Sequence, residues 1–301
     1  MKKPIVFLGL SLLLALAAAS AQARPAENRG IEHGELYDRP VIRNVLVVDG
    51  KGTPMRGPLD VIVEGDKIAA VRGADARPGA YKNEAHVLDG TGMYLLPGFI
   101  NSHIHLHDER AGADQPFEYE YKIYLACGVT TVRDVGSDPK KALAERRKSQ
   151  EGSIVAPRIY VYMVAVGRTP EEGRKSVRSI KEQGADGVKI FGMDRDIMEA
   201  VVDEATKLGL KVAHHMAVEE TDAREAAEFG VDTIEHWYGI PDAALKGTQS
   251  FPPSYNFNNE SDRFRWAGRL WREADPDKLE DVLDEMVERG VGWIPTFSTY
   301  E

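Results

Sequence analysis

Hydrophobic and polar positions change their rhythm near residue 97. Before it, VIRNVLVVDG, LDVIVEGDKIAAVRG and EAHVLDGTGMYLLPG are short β-branched runs broken by Gly, Asp and Pro. That texture predicts antiparallel strands joined by tight turns, a small β-rich module over residues 40–97. After it the chain repeats a unit of helix, glycine and short apolar run. FEYEYKIYLAC leads through Gly128 to VTTVRDV, a charged segment through Gly184 to DGVKIF, and DIMEAVVDEATKL through Gly209 to LKVAHH. AREAAEF then leads through Gly230 to VDTIEH, and DKLEDVLDEMVER through Gly290 to VGWIPTF. Glycine takes the left-handed conformation that ends a helix at little cost, and the unbroken runs that follow suit strands buried on both faces. Helix starts agree: Asp138-Pro139 and Asp275-Pro276 each offer an N-cap followed by proline, and Thr169-Pro170-Glu171-Glu172 adds a capping-box carboxylate.

With the run MYLLPGFIN, which leads into His103, and RIYVYMV, these segments give seven strands alternating with helices. An open doubly wound sheet is compatible with that order. Regular β/α alternation with polar residues at strand ends fits a (β/α)8 TIM-type barrel better, and a barrel of that kind has eight strands. The expectation is therefore an α/β chain whose barrel, residues 98–301, has its last strand missing.

The termini and composition narrow the setting. Lys2 and Lys3, the apolar run from Ile5 to Ala19 and then Ala21-Gln22-Ala23 read as an export signal, residues 1–23, cleaved after Ala23. This points to a periplasmic or secreted protein with no stable membrane anchor. Residues 24–39 are polar without a period and read as a leader or linker. The balance of 48 acidic against 38 basic residues, a formal charge of -10, argues against a grip on nucleic acid or anionic membrane. A small-molecule substrate is the natural partner. Cys127, the only cysteine, has no partner for an internal disulfide; it ends an amphipathic segment where a small buried residue fits.

The candidate chemistry lies at strand ends, where a β/α barrel places its active site. LPGFINSHIHLH puts His103 and His105 at alternate positions, so on a strand both imidazoles share a face. The fourth strand carries Lys189, the fifth ends in His214-His215, and the sixth is followed by His236. Five of eight histidines thus fall at strand C-termini, which points to a divalent metal site, zinc before other ions. Adjacent His214 and His215 cannot both face inward on a regular strand. A charged lysine repels cations, but carbamylated by CO2 it becomes an anionic oxygen donor; otherwise Lys189 pairs with a carboxylate or contacts substrate. His107 lies past the strand end and reads as a loop residue near the pocket. His33 and His86 fall outside the barrel and read as surface residues.

LPGFINSHIH resembles the entry motif of the amidohydrolase superfamily, GVTTVRDVG its second barrel strand, GADGVKIF its fourth and GVDTIEHWYG its sixth. The nearest group is the imidazolonepropionase-like and prolidase-like branch, and the resemblance extends from Val41 to the end, with Asn101 where aspartate is more frequent. It implies a barrel accompanied by a β-sandwich built mainly from the N-terminal module. It also implies that His103, His105 and His236 are metal ligands, that His215 serves rather than His214, that the site holds one or two ions, and that Lys189, once carbamylated, bridges the pair where there are two. The same resemblance places the general base on an eighth strand, which lies beyond Glu301, and gives Asp134 a structural role. The activity implied is hydrolysis of an amide or other C–N bond by attack of a metal-bound hydroxide on a carbonyl. The alternative is an inactive truncated barrel that at most binds metal. Between strand six and the next helix, residues 240–275 form a long insertion with aromatics Tyr255, Phe257, Trp266 and Trp271, a candidate lid. Phe264, Trp266 and Trp271 read as packing residues, whereas Trp237 and Tyr238 are expected to wall the substrate pocket.

Overall fold

The computed structural model describes residues 36–75, 77, 79–216, 221–247, 250–256 and 259–297. The expected export signal, most of the leader, His33 and Phe257 lie outside these residues. The chain divides after Pro97 into two units.

In the first unit, strands β1 (Pro40–Val47), β2 (Arg56–Glu64), β3 (Lys67–Gly73), β4 (His86–Asp89) and β5 (Tyr94–Leu95) make one five-stranded sheet. β1, β2 and β3 pair antiparallel, as their turn residues predict, whereas β4 and β5 join β1 in parallel. A two-residue connection can only reverse the chain; the longer segment between β3 and β4 lets it return in the same direction. Val41, Ile62 and Val87 form a small core with Ala70 and Tyr81 against it. Beside that core, fully buried Asp60 accepts the Asn44 and Asp75 N–H groups, both at 2.9 Å, and the Tyr81 hydroxyl at 2.8 Å.

The second unit opens with β6 (Phe99–Ile104) and a short hairpin, β7 (Glu109–Arg110) and β8 (Ala113–Asp114). It continues with α1 (Phe117–Ala126), β9 (Val129–Asp134), α2 (Pro139–Gln150), β10 (Arg158–Val164), α3 (Pro170–Glu182), β11 (Gly187–Ile190), α4 (Arg195–Lys207) and β12 (Lys211–His215). Then come α5 (Ala223–Phe229), β13 (Thr233–Glu235), α6 (Ile240–Ala243), α7 (Glu260–Glu273), α8 (Pro276–Glu288) and β14 (Gly292–Ile294). Seven strands form a nearly closed parallel sheet in the order β14-β13-β12-β11-β10-β9-β6, a TIM-type barrel lacking one strand. The run expected as one strand from Met93 breaks at Pro97-Gly98: its first part pairs with β1, its second starts the barrel.

Register assigns the faces. Val188 stands beside Val212, and Ile190 beside His214, which stands beside Ile234. Val188, Ile190, Val212 and Ile234 belong to the same apolar core as Val177, Ile180, Met198 and Val201 of α3 and α4. The opposite face carries Lys189, Ala213, His215, Thr233 and Glu235, the barrel interior.

Glycines 128, 184, 209, 230 and 290 all have φ between 66° and 93°, as the helix-glycine-strand pattern predicts. Asp138 and Asp275 cap α2 and α8 through the Lys141 N–H at 3.0 Å and the Asp277 N–H at 3.0 Å. At α3 the Thr169 hydroxyl accepts from the Glu172 N–H at 3.3 Å, but the Glu172 carboxylate turns to the Arg168 N–H instead of closing the box. Cys127 is exposed, contrary to expectation, because it is the C-cap of α1 and lies past the last turn whose apolar face is buried.

Candidate metal centre

At the C-terminal ends of the barrel strands a cavity of about 630 Å³ is lined by His103, His105, His107, His215 and His236, with Asn101, Arg110, Glu120, Tyr124, Phe191, Arg263 and Thr296. The residues that reach it come from the ends of β6, β11, β12, β13 and β14, from the β7 hairpin and from helices α1 and α7. His103 and His105 leave β6 after a register irregularity between Asn101 and Ile104, and their ring centres lie 5.3 Å apart. His103 is 4.7 Å from the ring of His236, and His236 is 4.3 Å from that of His215.

His215 and His214 separate as strand alternation requires. His215 faces the cavity beside Phe191, at 4.9 Å between ring centres. His214 is wholly buried on the outer face of the sheet, and neither of its nitrogens has a hydrogen-bond partner. Alternation then fails one strand later. Glu235 ends β13 facing inward, so His236 should point out, yet its φ of 66° places it in the left-handed region and both side chains face the interior. A β-strand has φ near −120°, and a non-glycine residue at positive φ costs about 1 kcal/mol or more. Around His236 the chain is held by the His236 N–H to the Ile294 carbonyl, 2.8 Å, and by Trp293 Nε1 to the His236 carbonyl, 2.5 Å.

Lys189 is completely buried below the histidines, and its Nζ has no hydrogen-bond partner; the ring of Phe191 lies 5.7 Å away. Burial pulls its amine down to about 8, against the attraction of Glu235. Burial likewise holds His105 down to about 4 and His236 to about 3, reinforced by the neighbouring imidazoles and by Lys189; it lowers His103 and His215 too. The rings are therefore neutral near pH 7, the state in which imidazole is a ligand.

Two residues of this site, Glu235 and Arg133, are not among the candidates that the sequence singles out. Glu235 is fully buried, its Oε2 is 2.5 Å from Nδ1 of His103, and its Oε1 accepts from Arg133 Nη2 at 2.6 Å and from the Thr233 hydroxyl at 2.6 Å. Burial pushes this carboxyl up, but His103, Lys189 and Arg133 outweigh it and hold it at about 2. Arg133, whose Nε also donates to the Ser102 carbonyl at 2.6 Å, lies over the ring of Tyr162 at 5.0 Å. A charged residue in a buried parallel strand is a flag for such a pairing, and only that flag was available for Arg133.

Trp237 and Tyr238 do not line the cavity. Tyr238 is buried behind His215 and His236, 6.4 and 6.1 Å from their rings, and stacks on Phe264 at 6.0 Å. The Trp271 indole donates to the Trp237 carbonyl at 2.8 Å and stacks on Trp293, so α7 packs as its aromatics suggest; among the described residues of the insertion, Arg263 lines the cavity. Asp134 is structural: its Oδ1 accepts from Ser137 Oγ at 2.8 Å and from two backbone N–H groups, and Ser137 Oγ accepts from the Leu106 N–H. His107 is an exposed residue at the cavity, 6.2 Å from His105.

As they stand, no three His, Cys, Asp or Glu side chains among the described residues are arranged to hold an ion. The rings satisfy one another instead: His236 Nε2 is 2.9 Å from His215 Nδ1, and His236 Nδ1 is 2.8 Å from Thr296 Oγ1. The donor set nonetheless fits a divalent cation, with four neutral imidazoles converging on one cavity and an unpartnered amine buried below them. Among the described residues no helix is long and apolar enough to cross a membrane.

The amidohydrolase family model matches residues 94–248, just over half of the chain. A dihydroorotase of Thermus aquaticus is 41% identical over 68 residues, covering 23% of this chain and 14% of its own. A D-hydantoinase of Streptomyces coelicolor is 25% identical over 194 residues, covering 60% of this chain and 40% of its own. The chain thus spans less than half the length of these curated relatives. A Xaa-Pro dipeptidase structure with bound methionine has a TM-score of 0.60 at 20% identity, over 86% of this chain and 67% of that one, a likeness of fold. The match across strands β6 to β13 establishes the lineage: the chain belongs to the amidohydrolase family, whose members generally bind divalent metal ions.

Proposed function

We propose that this chain forms the metal-binding barrel of a hydrolase that cleaves an amide or other C–N bond. The observation that carries the reading is the convergence of His103, His105, His215 and His236 on one cavity with Lys189 buried below them. These five residues would hold one or two ions, zinc in preference to others, with His215 rather than His214 serving because only His215 faces the cavity. A bound divalent ion supplies polarisation of a carbonyl and acidification of water. The chain's own residues supply the rest: the lowered Lys189 amine has a neutral fraction at pH 7.5 of roughly a quarter, able to add to CO2 with loss of a proton and become an anionic carbamate. Arg110 and Arg263 on the same cavity suit a substrate that carries a carboxylate near the scissile bond. An N-acyl amino acid, a dipeptide ending in proline and a cyclic amide acid all meet that description. The export-signal pattern of residues 1–23 supports export to the periplasm or medium.

A second reading, a barrel that binds metal without turnover, draws on the edges of the sheet: β6 and β14 are not paired with each other among the described residues. The test is metal analysis of the purified protein followed by hydrolysis assays on those three substrate classes with added zinc or manganese. Retained metal with turnover is the expected result. Metal without turnover supports the second reading, and failure to hold metal at all overturns both.

A further inference from the structure

The fully buried Glu235 makes three side-chain hydrogen bonds in the barrel interior, and it reaches a proposed ligand without lining the cavity itself. We infer that Glu235, clamped by Arg133 and Thr233, is a positioning residue that fixes His103 as its Nδ1–H tautomer and leaves Nε2 as the nitrogen offered to a metal ion. The inference rests on the metal-centre reading above for the last clause only.

The geometry leaves one assignment of donors. An ionised carboxylate only accepts hydrogen bonds. Glu235 Oε1 already accepts from Arg133 Nη2 and the Thr233 hydroxyl, and Oε2 meets Nδ1 of His103 at 2.5 Å. Nδ1 must therefore be the donor. In a neutral imidazole the other nitrogen then carries the lone pair. Left to itself the ring would distribute its proton between the two nitrogens and rotate about its side-chain bonds.

Arg133 makes the clamp rigid from three directions. It springs from β9, donates to the Ser102 carbonyl of the adjacent β6 at 2.6 Å, and reaches across the interior to Thr233 and Glu235 of β13, a strand that neighbours neither of them in the sheet. The ring of Tyr162 lies against its guanidinium, and Gly187 makes room for that ring: a Cβ at Gly187 would fall 2.5 Å from it. A carboxylate that orients a ligand histidine through its second nitrogen raises metal affinity by about 10–100-fold in sites where this has been dissected.

The test begins on the metal-free protein. Long-range 15N–1H correlation of the histidine rings is expected to show His103 protonated at Nδ1. Glu235→Gln is expected to mix the two tautomers of His103 while leaving those of His105 unchanged, and to weaken zinc binding about 10–100-fold in competition with a chromophoric chelator. Because Glu235→Leu strands Arg133 beside Lys189 and is at risk of misfolding, Arg133→Met combined with Glu235→Leu removes both charges together and serves as the second variant. A merely structural glutamate would lower stability in all of these without moving the tautomer. His103 protonated at Nε2 in the unmodified protein overturns the inference, as does unchanged tautomer and affinity in a folded variant. If the unmodified protein binds no zinc, the metal reading fails while the tautomer measurement still decides the role of Glu235.

Discussion

Replacing Lys189 by methionine is expected to make the metal-free protein more stable, an unusual outcome for a residue with no exposed surface. Methionine preserves most of the unbranched stem and removes a buried ammonium that has no hydrogen-bond partner. Burial lowers the amine from 10.5 to about 8, so the unfolded chain holds the proton more tightly than the folded one. The difference corresponds to about 3 kcal/mol of destabilisation. Its pH dependence has a fixed sign: the penalty is absent above about 10.5, grows as pH falls through that interval, and is complete below about 8. Urea unfolding in CO2-depleted buffer with a chelator should therefore find Lys189→Met about 3 kcal/mol more stable at pH 7 and less than about 1 kcal/mol more stable at pH 10. Equal stability at pH 7, or a gap that does not change with pH, would refute the account of Lys189 as an unpaired buried cation. The same variant should hold less metal, so stability and loading are expected to move in opposite directions.

In the N-terminal unit, Asp60→Ala leaves the Asn44 and Asp75 amides and the Tyr81 hydroxyl without their shared acceptor and should cost about 3–5 kcal/mol, read as a lowered urea midpoint with faster proteolysis in that unit. Zinc binding at pH 6 should release fewer than about one proton from the imidazoles, against about three for four histidines with an ordinary value of 6.5. Calorimetry of Lys189→Met in buffers of different ionisation enthalpy measures this, and release near three would contradict the burial-lowered imidazoles. If residues 1–23 direct export, intact mass should place the mature N-terminus at Arg24.

The barrel and its histidines were legible because each signal is local. A helix, a left-handed glycine and a β-branched run recur within about ten residues of one another, and strand alternation turns His214 and His215 to opposite faces, the family resemblance selecting His215. The partners of those histidines were not legible, since they act across the barrel: Arg133 meets Glu235 102 positions away in sequence, and His103 meets it 132 away. Glu235 was hidden further by its neighbour, because a strand that presents His236 to the interior should turn Glu235 to the helices. Adjacency to His236 suggests Trp237 and Tyr238 as pocket walls; after a left-handed residue the chain turns aside, and Tyr238 goes under the site to meet Phe264.

That turn at His236 bears on how such a site could be rebuilt elsewhere. A designer copying this centre onto another β/α barrel by matching side chains to strand positions would place either the carboxylate or the imidazole on the wrong side of the sheet. What has to be grafted is a backbone, a strand that stops one residue early and is pinned by the Ile294 carbonyl and the Trp293 indole from the next strand. Residues 293–294 of β14 would thus be part of the transplant although neither is a proposed ligand.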